Sequence, residues 1–223
     1  MALGMLVKKE LRSVLTGGDL AGVLFFTLAA VVTAAFAFRF IGVPEALLPQ
    51  IAVAAMYLVF TFAGVVATRL VYRGEAESGG AVTLQVLGFS AGRIFLSKLL
   101  ALWLLLFMIQ LVTSLLTEQF LAVSFAPVRS KLILISALLS LGFAEVGVLL
   151  GLLSLAGGIG ERMLSLALLP FTLPLLYSAV ILTLRLNSSG QLDPSDFWLH
   201  LLAGLAVIYG AAGAILSDYF LLG

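Results

Sequence analysis

Six apolar stretches, each long enough to cross a bilayer, follow one another along 223 residues. A hydrocarbon core about 30 Å thick takes about 20 apolar residues in helical form. No water reaches the backbone there, so a spanning segment either bonds internally as a helix or closes into a barrel. Barrel strands would be nearer ten residues long and would alternate in polarity. These stretches do neither, and they predict helical spans at Leu20–Phe40, Ala46–Thr68, Lys98–Thr117, Lys131–Ala156, Met163–Leu184 and Phe197–Ser217. Composition agrees. Only 10% of residues are charged, 62% are hydrophobic, and mean hydropathy is +1.22. A soluble domain carries about a quarter charged residues, so this chain lacks the polar surface to cover itself in water. The fold class is an all-α integral membrane protein with six transmembrane helices. Its layout is an N-terminal segment 1–19, a six-helix membrane body 20–217 and a short tail 218–223.

Several classes of chemistry are excluded. There is no cysteine, hence no disulfide, thiolate metal site or covalent haem attachment. The sequence has no phosphate-binding P-loop, no His-Glu-x-x-His and no nucleophile elbow, so neither a catalytic residue nor a metal site is assigned, and the chain is read as a non-enzyme. A net charge of +1 gives no nucleic-acid signal. Ala35-Phe36-Ala37 resembles a signal-peptidase site, but the apolar run before it exceeds a signal core and five more spans follow. The first helix is therefore expected to be retained.

Six spans place both termini on one side. With the N-terminus cytoplasmic, Lys8, Lys9, Arg12, Arg69, Arg73, Arg93, Lys98 and Arg162 lie inside, against Arg39, Arg129, Lys131 and Arg185 outside. Eight against four favours this orientation under the positive-inside rule, although Arg129 and Lys131 work against it. Trp103 and Trp198 fall near span ends, where indoles concentrate. In the first segment Leu3, Val7, Leu11 and Val14 recur at helical spacing, with Lys8, Lys9, Arg12, Ser13 and Thr16 filling the other side. This pattern predicts an amphipathic helix in the headgroup plane, its cations facing anionic lipid. Basic residues that merely orient span one are an equal alternative.

Within the spans, two stripes of small residues suit close helix packing. They are Ser140, Ala144, Gly147, Gly151 and Ser154 in span four, and Ala203, Ala206, Gly210, Gly213 and Ser217 in span six. Either stripe serves packing within the chain or a seam with another copy. Pro170 and Pro174 lie one turn apart in span five and are expected to kink it, freeing carbonyls near Leu166 and Pro170. The kink is a hinge or a static bend. Glu145 is a carboxylate predicted near the middle of span four, where an ionised acid costs roughly 2.5–3.5 kcal/mol on insertion scales. It marks a polar point on a substrate path, or a protonated acid bonded to a neighbour such as Gln110, Ser140 or Ser178. His200, the sole histidine, falls at the start of span six, an interfacial position rather than a metal-ligand one.

The sizeable charged connection runs from Arg69 to Lys98. Glu75 and Glu77 favour a helix N-terminus there, Val82, Val86 and Phe89 share a face, and Gly79-Gly80 and Gly88 limit the helix to a few turns. A short surface helix of this kind fits a groove in a soluble protein, with Arg93 and Lys98 at the membrane edge. A loop lying idle on lipid is the alternative.

From Tyr72 to Lys98 the chain resembles the haem-exporter permease family, the B subunit of the cytochrome c maturation ABC transporter. In that family acidic residues lead through a Gly and a Leu-rich turn to an Ile-Phe-Leu-Gly-Lys ending. Here the ending is Ile94-Phe95-Leu96-Ser97-Lys98. Leu168-Leu169-Pro170-Phe171-Thr172-Leu173-Pro174 is similar to the family's Leu-Pro-Leu-x-x-Pro run, and Leu141-Gly142-Phe143-Ala144-Glu145-Val146-Gly147 to its Leu-Gly-x-x-x-Val-Gly stretch. The start Lys9-Glu10-Leu11-Arg12, the length and the six spans also agree. Three positions depart: Gly88 where the family has proline, Ser97 for a glycine, and Glu145 where a small or apolar residue is expected.

The resemblance implies an ABC-2-exporter-like permease in the bacterial inner membrane, multi-pass, with both termini cytoplasmic. A separate ATPase chain would dock on the loop at Glu75, Glu77, Val82, Val86, Phe89 and Arg93. A second copy of the chain and haem-handling membrane subunits would complete the complex, which serves haem delivery during cytochrome c assembly. No cofactor is assigned to the chain itself; haem is implied as handled cargo. With no Cys and His200 alone, the chain does not supply a pair of His or Cys ligands to haem iron. The rival readings are a permease for lipid, glycan or drug, and a membrane scaffold that moves nothing.

Overall fold

The computed structural model describes residues 2–16, 19–78, 90–155 and 161–222. Among them are seven α-helices and no strand: α1 Ala2–Thr16, α2 Asp19–Ile41, α3 Leu48–Ser78, α4 Ala91–Leu121, α5 Arg129–Leu155, α6 Glu161–Ser189 and α7 Phe197–Leu222. Helices α2 to α7 each contain a stretch long and apolar enough to cross a membrane. Short turns, Glu45–Leu47 and Ala126–Val128, introduce α3 and α5.

Each of these six helices packs on its successor, and α5 also contacts α3 and α7, which makes it the centre of the bundle. The apolar window of α5 is 67% buried, against 22% for α2 and 17% for α7. The two peripheral helices therefore turn Phe25, Phe36 and Phe40, or Val207, Ile208 and Ile215, outward. In water such surface would drive aggregation; around a spanning helix it meets lipid or another membrane protein.

Close approach at the centre depends on small residues. A Cβ on Gly147 would touch Leu102 and Thr68, one on Gly151 would collide with the Tyr72 ring, and one on Gly213 would press into Phe95. Both small-residue stripes thus meet helices of the same chain. Aromatic rings fill the wider gaps, with Phe60 and Phe143 edge to face at 5.5 Å. Polar groups inside the bundle mostly find partners: the Tyr57 and Thr183 hydroxyls join α3 to α6 at 2.7 Å, and Trp103 Nε1 donates to Ala137 O at 3.1 Å.

Four helices outrun the spans expected from hydropathy by five residues or more. α3 continues ten residues beyond Thr68, α4 starts seven residues before Lys98, α6 extends five beyond Leu184, and α7 extends five beyond Ser217. α6 stops where Gly190 adopts φ +68° and its N–H donates to Leu186 O at 2.9 Å, the left-handed end that glycine tolerates. α7 starts at an N-cap: Asp196 Oδ1 accepts the Trp198 N–H at 3.0 Å, and Arg185 holds Oδ2 at 2.8 Å. The Gly190 turn also accepts a bond from Lys131 Nζ at 2.7 Å, which ties α5 to the α6–α7 connection.

Candidate functional site

The charged connection singled out in the sequence is bracketed by α3 and α4, 31 residues each. At 1.5 Å per residue each is about 46 Å long, well over the roughly 30 Å of a hydrocarbon core. Glu75 and Glu77 do not open a new helix, as their charge had suggested; they lie on the last turns of α3. Continuity of the helix overrides the dipole preference there, which is small and confined to the last turn. Val82, Val86 and Phe89 lie outside the described residues. Arg93 is exposed in the first turn of α4, where its N–H donates to Ser90 O at 3.0 Å.

Lys98, placed at the membrane edge by its sequence position, turns into the protein and is 0% exposed. Its Nζ lies 3.7 Å from Glu10 Oε1 of α1 and 5.6 Å from the centroid of the Tyr72 ring of α3. At 3.7 Å the contact is an ion pair rather than a hydrogen bond. Lys9 approaches the same oxygen from the exposed side, also at 3.7 Å. α1 is a helix, and its buried edge is Leu6 and Glu10, one turn apart. Leu3, Val7 and Leu11, the apolar side of the predicted amphipathic helix, line a groove of about 650 Å³ with Leu100 of α4, rimmed by Lys8 and Arg12.

Deeper in the bundle Glu145 is 5% exposed, and its Oε1 stands 2.7 Å from where a Cβ on Gly210 would be. The carboxyl occupies the α5–α7 seam, in space that Gly210 leaves open. None of the neighbours suggested by the sequence bonds to it. Ser140 Oγ donates to Ala137 O at 3.1 Å and Ser178 Oγ to Pro174 O at 2.7 Å. Glu145 Oε2 and both amide atoms of Gln110 have no hydrogen-bond partner among the described residues.

α6 runs through Pro170 and Pro174 as one helix. Hydroxyls gather at this point: Thr172 donates to Leu168 O at 3.0 Å and lies 3.1 Å from Leu169 O, while Tyr209 of α7 donates to Phe171 O at 3.0 Å. None of these bonds reaches the Leu166 or Pro170 carbonyl that the prolines free; they add hydroxyl contacts to neighbouring carbonyls of the same stretch.

At the opposite end His200 is exposed, its Nδ1 2.9 Å from Asp196 O. Among the described residues no three His, Cys, Asp or Glu side chains gather as a metal site would require. Sequence reasoning missed two features, the Tyr57–Thr183 bond and the Glu10–Lys98 pair. A single acid in an otherwise basic α1, and a lysine followed by an apolar run, were the available signals for the second.

The family model for CcmB protein matches residues 1–216 of this chain. No curated protein matches it.

Proposed function

This chain belongs to the CcmB protein family, a multi-pass membrane component of the haem-export and cytochrome c maturation system, and from that premise we propose that it is the permease through which a separate ATPase acts. The observation that carries the reading is the pair of 31-residue helices bracketing residues 79–89. Helices longer than the membrane is thick offer a soluble partner levers that reach into the bundle. The ATPase docks on the segment holding Glu75, Glu77, Val82, Val86, Phe89 and Arg93, and its closure moves α3 and α4 against α5. The chain lies in the inner membrane with both termini on the ATPase side. α1 rests in the headgroup plane of that side, and a second copy and haem-handling subunits complete the assembly.

Haem is the cargo of the system, and this chain meets it through apolar surface or through ligands of a partner. Pro170 and Pro174 give α6 a bend, and the glycines Gly147, Gly151, Gly210 and Gly213 let the helices slide at close range. Export of a lipid, glycan or drug drew its support from Glu145 as a cavity-lining group; a carboxyl seated against Gly210 in a helix seam fits that role less well.

The test is Glu75→Lys with Glu77→Lys, scored by co-purification of the ATPase and by cytochrome c yield. The double reversal is expected to uncouple ATP hydrolysis from cytochrome c assembly. Unchanged yield sinks the docking reading. Retained assembly of partners with lost yield argues against a passive scaffold.

A further inference from the structure

α1 carries a single acid, and the helix turns it inward. Glu10 is 5% exposed, while Lys8, Lys9 and Arg12 around it are exposed. It meets Lys98, which is wholly buried one helix away and 88 residues later. Tyr72 covers the ammonium from α3, and the same ring fills the space over Gly151 of α5, its hydroxyl 3.4 Å from Val148 O. A continuous line of contacts therefore runs from α1 through α4 and α3 to the central helix.

This is an expensive way to attach a short helix. Withdrawing two charges from water is costly even when they pair, and an exposed pair would orient α1 without that penalty. The best-attested use of a buried pair is to fix one register against others. α1 has 15 residues, a length at which an isolated helix is only marginal in water, so its position is set by what holds it. The residue that holds it ends the very segment, Arg69 to Lys98, on which the partner docks.

We propose that Glu10 and Lys98 are positioning residues, a buried latch that makes α1 one mechanical unit with the roots of α3 and α4. This inference rests on the docking reading. A push on the segment between α3 and α4 is then delivered to α1 as well, and the groove between α1 and α4 keeps its shape during the movement. Without the latch α1 swings free and part of the stroke is lost into it.

The absence of cysteine makes the test clean. Nitroxide labels on Met5→Cys and Leu96→Cys, both exposed positions and neither a docking residue, report the α1–α4 distance by electron–electron resonance in the full chain with its ATPase in nanodiscs. The parent gives a narrow distribution. Glu10→Lys and Lys98→Glu each lose most of the native distance, and the two together restore it. Cytochrome c yield falls and recovers in the same order, a rescue that a merely space-filling role would not produce. If the reversals fail to accumulate in membranes, Glu10→Gln removes the charge at nearly constant shape and is expected to broaden the distribution.

An unchanged distribution in Glu10→Lys or Glu10→Gln overturns the latch. Broadened distances with undiminished yield, while Glu75→Lys with Glu77→Lys abolishes yield, also overturn it and leave the docking reading standing. If that loop reversal has no effect on yield, the docking reading falls, and the positioning role falls with it.

Discussion

The two ends of the bundle use ion pairs in opposite ways. At one end Glu10 and Lys98 are withdrawn from solvent, with side chains 6% and 0% exposed. At the other, Arg129 with Glu118 and Arg185 with Asp196 sit at 2.8 Å, each arginine more than half exposed over an acid that is 20% or 8% exposed, so the contrast lies in the cations. The exposed pairs have the better geometry and the smaller consequence, because water and salt screen them and replace them readily. The buried pair is longer, yet its loss costs more, because burial leaves either group little water to replace its partner, Lys9 reaching Glu10 only from the exposed side. The exposed pairs tidy short turns; the buried pair decides where a whole helix sits.

The sharpest way to break this contrast is Lys98→Met. It should destabilise the chain by about 3–5 kcal/mol, read as a fall in the thermal midpoint in detergent. Glu10→Met together with Lys98→Met should recover most of that loss, since apolar replacement of a whole buried pair is often neutral. A single variant as stable as the parent would erase the difference between the ends.

Glu145 tests the same principle midway between them. Glu145→Gln should accumulate in membranes near the parent level, whereas Glu145→Lys, an obligatory cation in a helix seam, should lose about 2.5–3.5 kcal/mol. Equal membrane levels and activity for the two would count against a buried position. At the opposite end Asp196→Ala removes the N-cap of α7 and one exposed pair together. A loss of about 1 kcal/mol is expected, measured in the same melts.

The smallest effect concerns Asp193, in the connection before α7. The Ser195 N–H and hydroxyl both donate to Oδ1, at 2.8 and 2.7 Å, and hold this exposed carboxyl below its ordinary range. A depressed folded-state pKa lends stability that is complete at neutral pH. That stability declines from about pH 4, where an unfolded aspartate titrates, and is gone once the folded carboxyl protonates. Amide exchange at Ser195 should therefore rise on acidification below about pH 4, after correction for the intrinsic rate, and Asp193→Asn should abolish that rise.

Much of the architecture was legible because the bilayer imposes so few solutions. Each apolar stretch had to be a helix, and the small-residue stripes of spans four and six suited close packing against another helix. Where the helices end was less legible. Hydropathy marks where a chain leaves lipid, whereas α3 continues ten residues past Thr68 because nothing in its backbone stops it. Glu75 and Glu77 misled for a related reason: acids mark helix N-termini only on average, and an established helix carries them through its last turns.

The sequence by itself determined a six-span helical membrane protein without cysteine, without a P-loop and with a charged connection between spans two and three. These are properties of residue type and order, and the solvent reads them locally. Only the tertiary structure decided that Gly210 makes room for Glu145, that both small-residue stripes meet helices of the same chain, and that Lys98 turns inward to meet Glu10. Such facts depend on which helix faces which. A lysine after a loop looks the same in sequence whether it reaches out to water or inward to a carboxylate 88 residues away, and only packing removes the water that would make the two equivalent.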